Sequence, residues 1–129
     1  MELVDCSKKY WLFVLHLRNS LRSNFIEQGT ITENTHEAFM SRNYGTFKIC
    51  LSSTSEPIGF IGCVNGDIRI AVDPKEQGEG VGKFMLENFI IEYASAFAKI
   101  KVDNQASLNL FESCGYKKTY YILKNEKSL

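Results

Sequence analysis

The stretch Gln77-Gly78-Glu79-Gly80-Val81-Gly82-Lys83 constrains this chain most, because of what stands on either side of it. Upstream, the β-branched run Ile68-Arg69-Ile70-Ala71-Val72 predicts a strand, which Asp73-Pro74 stops. Downstream, Met85, Leu86, Phe89, Ile90, Tyr93, Ala94 and Phe97 recur at the spacing of an amphipathic helix. Strand, glycine-rich loop and helix together aim several backbone N–H groups and a helix N-terminus at one point. Such a point suits phosphate. Glycine closes a tight strand–helix turn equally well, so the loop alone does not identify a ligand.

Spacing excludes two familiar phosphate binders. The nucleotide P-loop needs four residues between its first Gly and the Gly-Lys-Ser/Thr end. Here three residues separate Gly78 from Gly82, and Phe84 stands where a metal-binding hydroxyl is required. The dinucleotide fingerprint Gly-x-Gly-x-x-Gly begins at Gly78 and Gly80 but ends on Lys83.

A third pattern fits. Gln77, Gly80 and Gly82 meet Gln/Arg-x-x-Gly-x-Gly/Ala, which resembles the acetyl-coenzyme A signature of the GNAT acetyltransferases. A second block follows in the right order. Lys99-Ile100-Lys101-Val102-Asp103 predicts another strand, and Asn104 to Ser113 a short helix, N-capped by Asn104 or a neighbour and stopped by Gly115. Within it Leu108, Leu110 and Phe111 are expected to be partly buried. Asn104, the small Ser107, Leu110-Phe111 and Gly115-Tyr116 are similar to the family's second motif. The resemblance covers about residues 58–118, with weaker support before them.

At 129 residues the chain predicts one domain, residues 1–129, with a single core. Fifteen acidic residues balance fifteen Lys and Arg residues, so no basic excess exists to hold nucleic acid or a membrane surface. The longest apolar stretch, Trp11 to Leu15, is far too short for a membrane span, and no cleavable leader pattern precedes it. Cys6, Cys50, Cys63 and Cys114 are scattered without metal-ligand spacing. That predicts no metal, thiols packed as small apolar groups, and a reducing, cytoplasmic setting.

Met1–Val4 predicts a first strand. Ser7 is placed as the cap of a helix to about Leu21, with Tyr10, Phe13, Val14 and Leu17 inward. Thr32 or Asn34 opens a second helix to about Arg42, with Phe39 and Ala38 facing in. Phe47–Leu51 and Ile58–Val64 read as strands, and Asn65-Gly66 turns the latter directly into Asp67–Val72. The predicted class is mixed α/β, a central sheet flanked by helices in the order β-α-α-β-β-β-α-β-α-β. That is also the GNAT order. After Gly115 only Tyr116–Lys124 is strand-like, where the family has two closing strands. Either this segment bends into both, or one place is left open or filled by a partner subunit, as in a homodimer.

The resemblance implies acetyl transfer from acetyl-CoA to a primary amine by direct attack on the thioester. It implies that the pyrophosphate lies over the backbone of Gly78, Gly80, Val81 and Gly82, beside Gln77, with Lys83 either adding charge or simply solvated. Ile70 and Val72 take the family's place beside the pantetheine arm, where a backbone N–H also polarises the thioester carbonyl. Asn104 reaches the arm from the neighbouring strand, a role compatible with its capping a helix. Two family features are unmatched. The position of the tyrosine that protonates the leaving thiolate is Phe111, suited only to packing on the acetyl group. The position of the strand glutamate that deprotonates the amine is Gly66, and Asp67 is expected to point to the opposite face.

His36 is the substitute base the sequence offers, its ordinary pKa suiting proton removal near neutrality; a satisfied structural histidine is the alternative. Arg18, Arg22 and His36 fall on the family's acceptor wall. The segment Leu17–Phe25 with Thr32–His36 resembles the branch that acts on nucleotide-linked amino sugars, and also branches that modify ribosomal protein N-termini. A small amine or amino sugar is therefore the expected acceptor. A protein or peptide amine and a non-catalytic acyl-CoA-binding module are the alternatives, and a nucleotide-binding switch is disfavoured by the failed P-loop spacing.

Overall fold

The computed structural model describes residues 1–21, 29–89 and 95–126. Four strands form one antiparallel sheet in chain order: β1 (Glu2–Asp5), β2 (Phe47–Leu51), β3 (Pro57–Val64) and β4 (Asp67–Val72). Helices α1 (Trp11–Ser20) and α2 (Glu33–Asn43) lie between β1 and β2. Helices α3 (Val81–Asn88) and α4 (Gln105–Ser113) follow β4. The mixed α/β class is as expected.

The β3–β4 turn forms because Asn65 (φ 52°) and Gly66 (φ 83°) both take the left-handed conformation that a two-residue hairpin requires. Its register then pairs Val64 with Asp67, Gly62 with Arg69 and Phe60 with Ala71. β3 is an inner strand, with Ile58 to Cys63 buried throughout. Two apolar clusters cover the sheet. Val14 and Leu17 of α1 and Met40 of α2 pack on Phe47, Ile49, Phe60 and Ala71. Val81, Met85 and Leu86 of α3 and Phe111 of α4 pack with Cys50, Ile61, Cys63 and Ile68. Each Val, Leu, Ile, Phe or Met among them stabilises the fold by about 1.5–3 kcal/mol when fully buried.

Two glycines of β3 set how closely these layers approach. A Cβ at Gly59 would stand 2.8 Å from the Ala71 carbonyl oxygen and 2.9 Å from Met85 Cε. One at Gly62 would stand 2.5 Å from the Phe47 ring.

The helices begin largely where the capping chemistry directs. Ser7 is the exception: it makes no side-chain cap, and a 3₁₀ turn, Lys8–Tyr10, separates it from α1, whose N-cap is Tyr10. Thr32 caps α2, its hydroxyl accepting from the Thr35 amide at 3.3 Å. The inner face of α2 is His36, Phe39 and Met40; Ala38, expected inside, is exposed. Asn104 caps α4 by accepting from the Ser107 amide at 3.2 Å, and Gly115 follows it at φ 93°.

Several expected elements differ. α3 ends at Asn88, and Phe89 is already extended. Ile90, Tyr93 and Ala94 lie outside the described residues. Phe97 is not helical: its amide donates to the Gly66 carbonyl at 2.8 Å, and its carbonyl accepts from Ile68 at 2.9 Å. This single parallel bridge replaces the strand expected at Lys99–Asp103. The chain then leaves β4, Val102 is 99% exposed, and Lys101 turns directly into the α4 cap. No ladder includes Tyr116–Lys124 among the described residues, and Tyr120, Tyr121 and Leu123 are exposed. The order among the described residues is thus β-α-α-β-β-β-α-α. Isolated strand-like runs were not enough; each needed a neighbour's edge.

Candidate functional site

The edge of β4 organises the site. In an antiparallel pair, alternate residues direct their N–H and C=O groups toward the same neighbour. Ile68 donates outward to Phe97, so Ile70 and Val72 present their backbone groups on the same outer side. Beyond Phe97 the chain diverges, and this edge opens into a cavity of about 660 Å³. Ile70 and Val72 both line it.

Gln77, Gly78, Gly80, Val81, Gly82 and Lys83 line the same cavity. Asp73 holds the approach to the loop, accepting from the Lys75 amide at 3.0 Å. Gly78 (φ 84°) and Gly80 (φ 79°) take left-handed turns, and a Cβ at either would meet no heavy atom within 4 Å. Their glycine character answers to backbone conformation and not to packing. Gly80 is also the N-cap of α3 and supplies no side-chain cap. The first amides of a helix have no partner within it, so this N-terminus faces the loop as a cluster of donors with positive partial charge.

Gly82 has a different reason to be glycine. A Cβ there would stand 2.9 Å from Leu110 Cδ2 and 3.8 Å from Val72 Cγ2. It sets the approach of α3 to α4. Asn104 lines the cavity while capping α4. Phe111 is 3% exposed, lines the cavity, and meets the Tyr116 ring edge-on at 5.1 Å. Burial raises the Tyr116 phenol pKa.

The cavity continues onto the face covered by α1 and α2. His36 reaches it, although only 7% exposed. Its Nε2 lies 2.7 Å from the Trp11 carbonyl oxygen. A carbonyl can only accept, so Nε2 carries the proton and Nδ1 is the basic nitrogen. Desolvation lowers the His36 pKa, against the raising effect of the Trp11 hydrogen bond. The imidazole is therefore neutral at pH 7 and bridges the two helices.

Arg18 also lines the cavity, its Nη1 donating to the Gly29 carbonyl at 2.8 Å. Next to it, Asn19 exchanges two 3.0 Å hydrogen bonds with the Ile31 backbone, fixing the approach to α2. Arg22 lies outside the described residues.

Two charged residues on this face were not assigned to a site from sequence. Asp67 and Arg69 alternate with Ile68 and Ile70, which puts them on the α1/α2 side of β4, so Asp67 does not point away from the acceptor wall as expected. Both line the cavity, with Arg69 Nε 3.9 Å from Asp67 Oδ2. The Arg69 guanidinium lies 5.6 Å from the Phe39 ring centroid. Their period-two spacing was visible in the sequence, but the opening of the edge beside them was not. Among the described residues, no group of three or more His, Cys, Asp or Glu side chains is arranged to hold a metal ion.

Comparison with known proteins bears on this arrangement. A family model described as the acetyltransferase (GNAT) family matches residues 11–116. No curated protein matches the chain. Solved structures do. Spermidine N-acetyltransferase from Vibrio cholerae, in complex with CoA and spermine, has a TM-score of 0.79 at 15% identity, covering 96% of this chain and 85% of that one. Ribosomal-protein-alanine N-acetyltransferase from Brucella melitensis has a TM-score of 0.74 at 18% identity, covering 93% and 86%. A phosphinothricin acetyltransferase from Sinorhizobium meliloti, in complex with acetyl-CoA, has a TM-score of 0.71 at 16% identity, covering 88% and 73%. At these identities the likeness is one of fold.

Proposed function

The chain belongs to the acetyltransferase (GNAT) family, and on that premise we propose that it transfers the acetyl group of acetyl-CoA to a small primary amine. The observation that carries this reading is the open edge of β4 beside a bare glycine loop at the N-terminus of α3, all on one cavity. That cavity extends to both faces of the sheet, so two substrates can approach the edge from opposite sides.

The residues present fit the cosubstrate. Gly78 and Gly80 leave backbone donors unshielded, and Val81, Gly82 and Lys83 continue that surface into the first turn of α3. Gln77 flanks it. Ile70, Val72 and Asn104 offer polar groups to the amides of the pantetheine arm, and Phe111 an apolar wall. Acetyl-CoA supplies the activated thioester. An outward N–H of β4 is placed to donate to the carbonyl under attack. His36 takes the amine's proton at Nδ1, while Trp11 holds the tautomer. Phe111 cannot protonate the leaving thiolate, which leaves that proton to solvent.

The solved relatives' names point to different acceptors: spermidine, phosphinothricin and a protein alanine. A small amine or amino sugar suits an acceptor wall built around Arg18 and His36, with a nucleotide-linked amino sugar the narrower form of that reading. The four free cysteines, three of them buried, support a reducing cytoplasmic setting; cell fractionation tests it. The exposed Tyr120, Tyr121 and Leu123 of the unpaired terminal segment support a homodimer in which a second copy covers them. Sedimentation showing a monomer at micromolar concentration would remove that part.

The central test is acetyl-CoA-dependent release of free thiol across a panel of amines, with CoA binding followed by calorimetry. CoA binding with amine-dependent thiol release supports the transferase. CoA binding without turnover on any amine would make the chain an acyl-CoA-binding module instead.

A further inference from the structure

This face of the cavity carries a cation, Arg69, for whose guanidinium no hydrogen bond is found among the described residues. Arg69 projects from β4 beside the open edge, one residue from Ile70. Its one ion pair, Nε to Asp67 Oδ2 at 3.9 Å, is too long for a hydrogen bond. Phe39 holds the guanidinium at 5.6 Å from its ring centroid, which orients the group without consuming its N–H donors. Arg69 is partly buried, its side chain 39% exposed. Arg18 lies on the same wall. Among the described residues, Arg18, Arg69 and Asp67 line this part of the cavity, with Glu76 elsewhere on its lining, and burial lowers the His36 pKa.

We propose that Arg69 is the specificity-determining residue for the acceptor, and that it selects primary amines that also carry an anionic group, a carboxylate or a phosphate. This deepens the acetyl-transfer reading and rests on it. A planar guanidinium offers paired donors to either anion. Bound there, the anion directs the amine at the other end of the molecule toward the open edge at Ile70 and Val72. Asp67 balances the guanidinium across their 3.9 Å ion pair. A polyamine or unmodified aminoglycoside brings several cations to a wall that already carries the Arg69 guanidinium.

The test compares matched amines: γ-aminobutyrate with its amide, glucosamine 6-phosphate with glucosamine, and spermidine as a polycation. The full chain is used with acetyl-CoA, and CoA affinity is measured separately. At least one anionic member is expected to exceed its neutral partner in kcat/KM by on the order of 10- to 100-fold, the range of a charge-assisted hydrogen bond. The difference is expected in KM more than in kcat. Whether the carboxylate or the phosphate shows it identifies the source of the anion. In Arg69→Gln the anionic-to-neutral ratio should collapse toward one, while Arg69→Lys retains part of it.

Equal use of neutral amines, or preference for spermidine, overturns the proposal while leaving acetyl transfer standing. So does an Arg69→Gln variant that keeps the ratio. If CoA binds but no amine turns over, calorimetry of γ-aminobutyrate and glucosamine 6-phosphate on the CoA complex decides: binding lost in Arg69→Gln supports the anion site, and no binding to the parent overturns it. Failure of CoA itself to bind removes the transferase reading and this proposal together.

Discussion

Replacing Gly80 separates the loop's conformational role from its proposed ligand role. At φ 79° any residue with a Cβ is strained by about 1–2 kcal/mol. The protein itself does not crowd the site, since a Cβ there would meet no heavy atom within 4 Å. Gly80→Ala should therefore fold, with only the backbone strain showing. At about 2.1 cal/mol/K of unfolding entropy per residue, 129 residues convert that strain into a Tm fall of roughly 4–7 °C. Gly80→Val adds branches in the same open space and a stiffer backbone, so its Tm should fall further. If pyrophosphate occupies that space, the added carbons stand between it and the donors of α3. CoA affinity should then drop well beyond the roughly tenfold that 1.4 kcal/mol represents. Gly45 is the matched control, because a Cβ there also meets nothing and its φ is not positive. Gly45→Val should leave CoA affinity unchanged. Calorimetry at a temperature where each variant is folded reads the affinity, and a thermal melt reads the strain. Unchanged CoA affinity in folded Gly80→Val would refute the phosphate assignment, and a Tm fall far above the strain would refute the open surroundings.

Further expectations follow from individual residues. His36→Ala should lower turnover by at least about tenfold while preserving CoA affinity, and the parent's rate should rise with pH through a pKa below 6.5, because burial lowers it. A parallel pH profile in the variant would exclude the imidazole as base. The same lowered pKa gives a stability contribution that is complete above the unfolded value of 6.5 and lost as pH falls through the folded value; chemical denaturation of the parent at pH 7.5 and 5 should show that loss, and His36→Ala should show less of it. Phe111→Tyr should keep CoA affinity and hold or raise turnover if its new hydroxyl reaches the cavity; a large rate fall with intact CoA affinity would contradict the apolar wall placed there. Gly59→Ala should cost about 1–3 kcal/mol, as its Cβ meets a strand carbonyl at 2.8 Å, and an unchanged melting curve would show that β3 shifts freely.

Features that depend on neighbours in the chain were legible from residue order alone. Asn65-Gly66 dictated the β3–β4 hairpin, because few other pairs accept two positive φ angles. Thr32 and Asn104 announced their helices, since a side-chain acceptor can satisfy amides only two or three residues on. The run from Gln77 to Lys83 located the loop, and the alternation of β4 placed Ile70 and Val72 on one side. What depended on distant partners was decided by tertiary structure. Lys99–Asp103 has strand-forming residues, yet the main chain pairs with β4 only at Phe97 and then diverges. That divergence opens the edge and turns an ordinary strand face into a cavity wall. His36 reads in sequence as a base or a satisfied structural histidine, and only packing sets it against the Trp11 carbonyl. Gly82 read as a loop glycine, whereas the approach of Leu110 also requires it to be bare. Asp67 and Arg69 became site residues for the same reason as the cavity itself. Local propensity specifies which backbone groups a strand turns outward, but only the path of the following chain determines whether anything covers them.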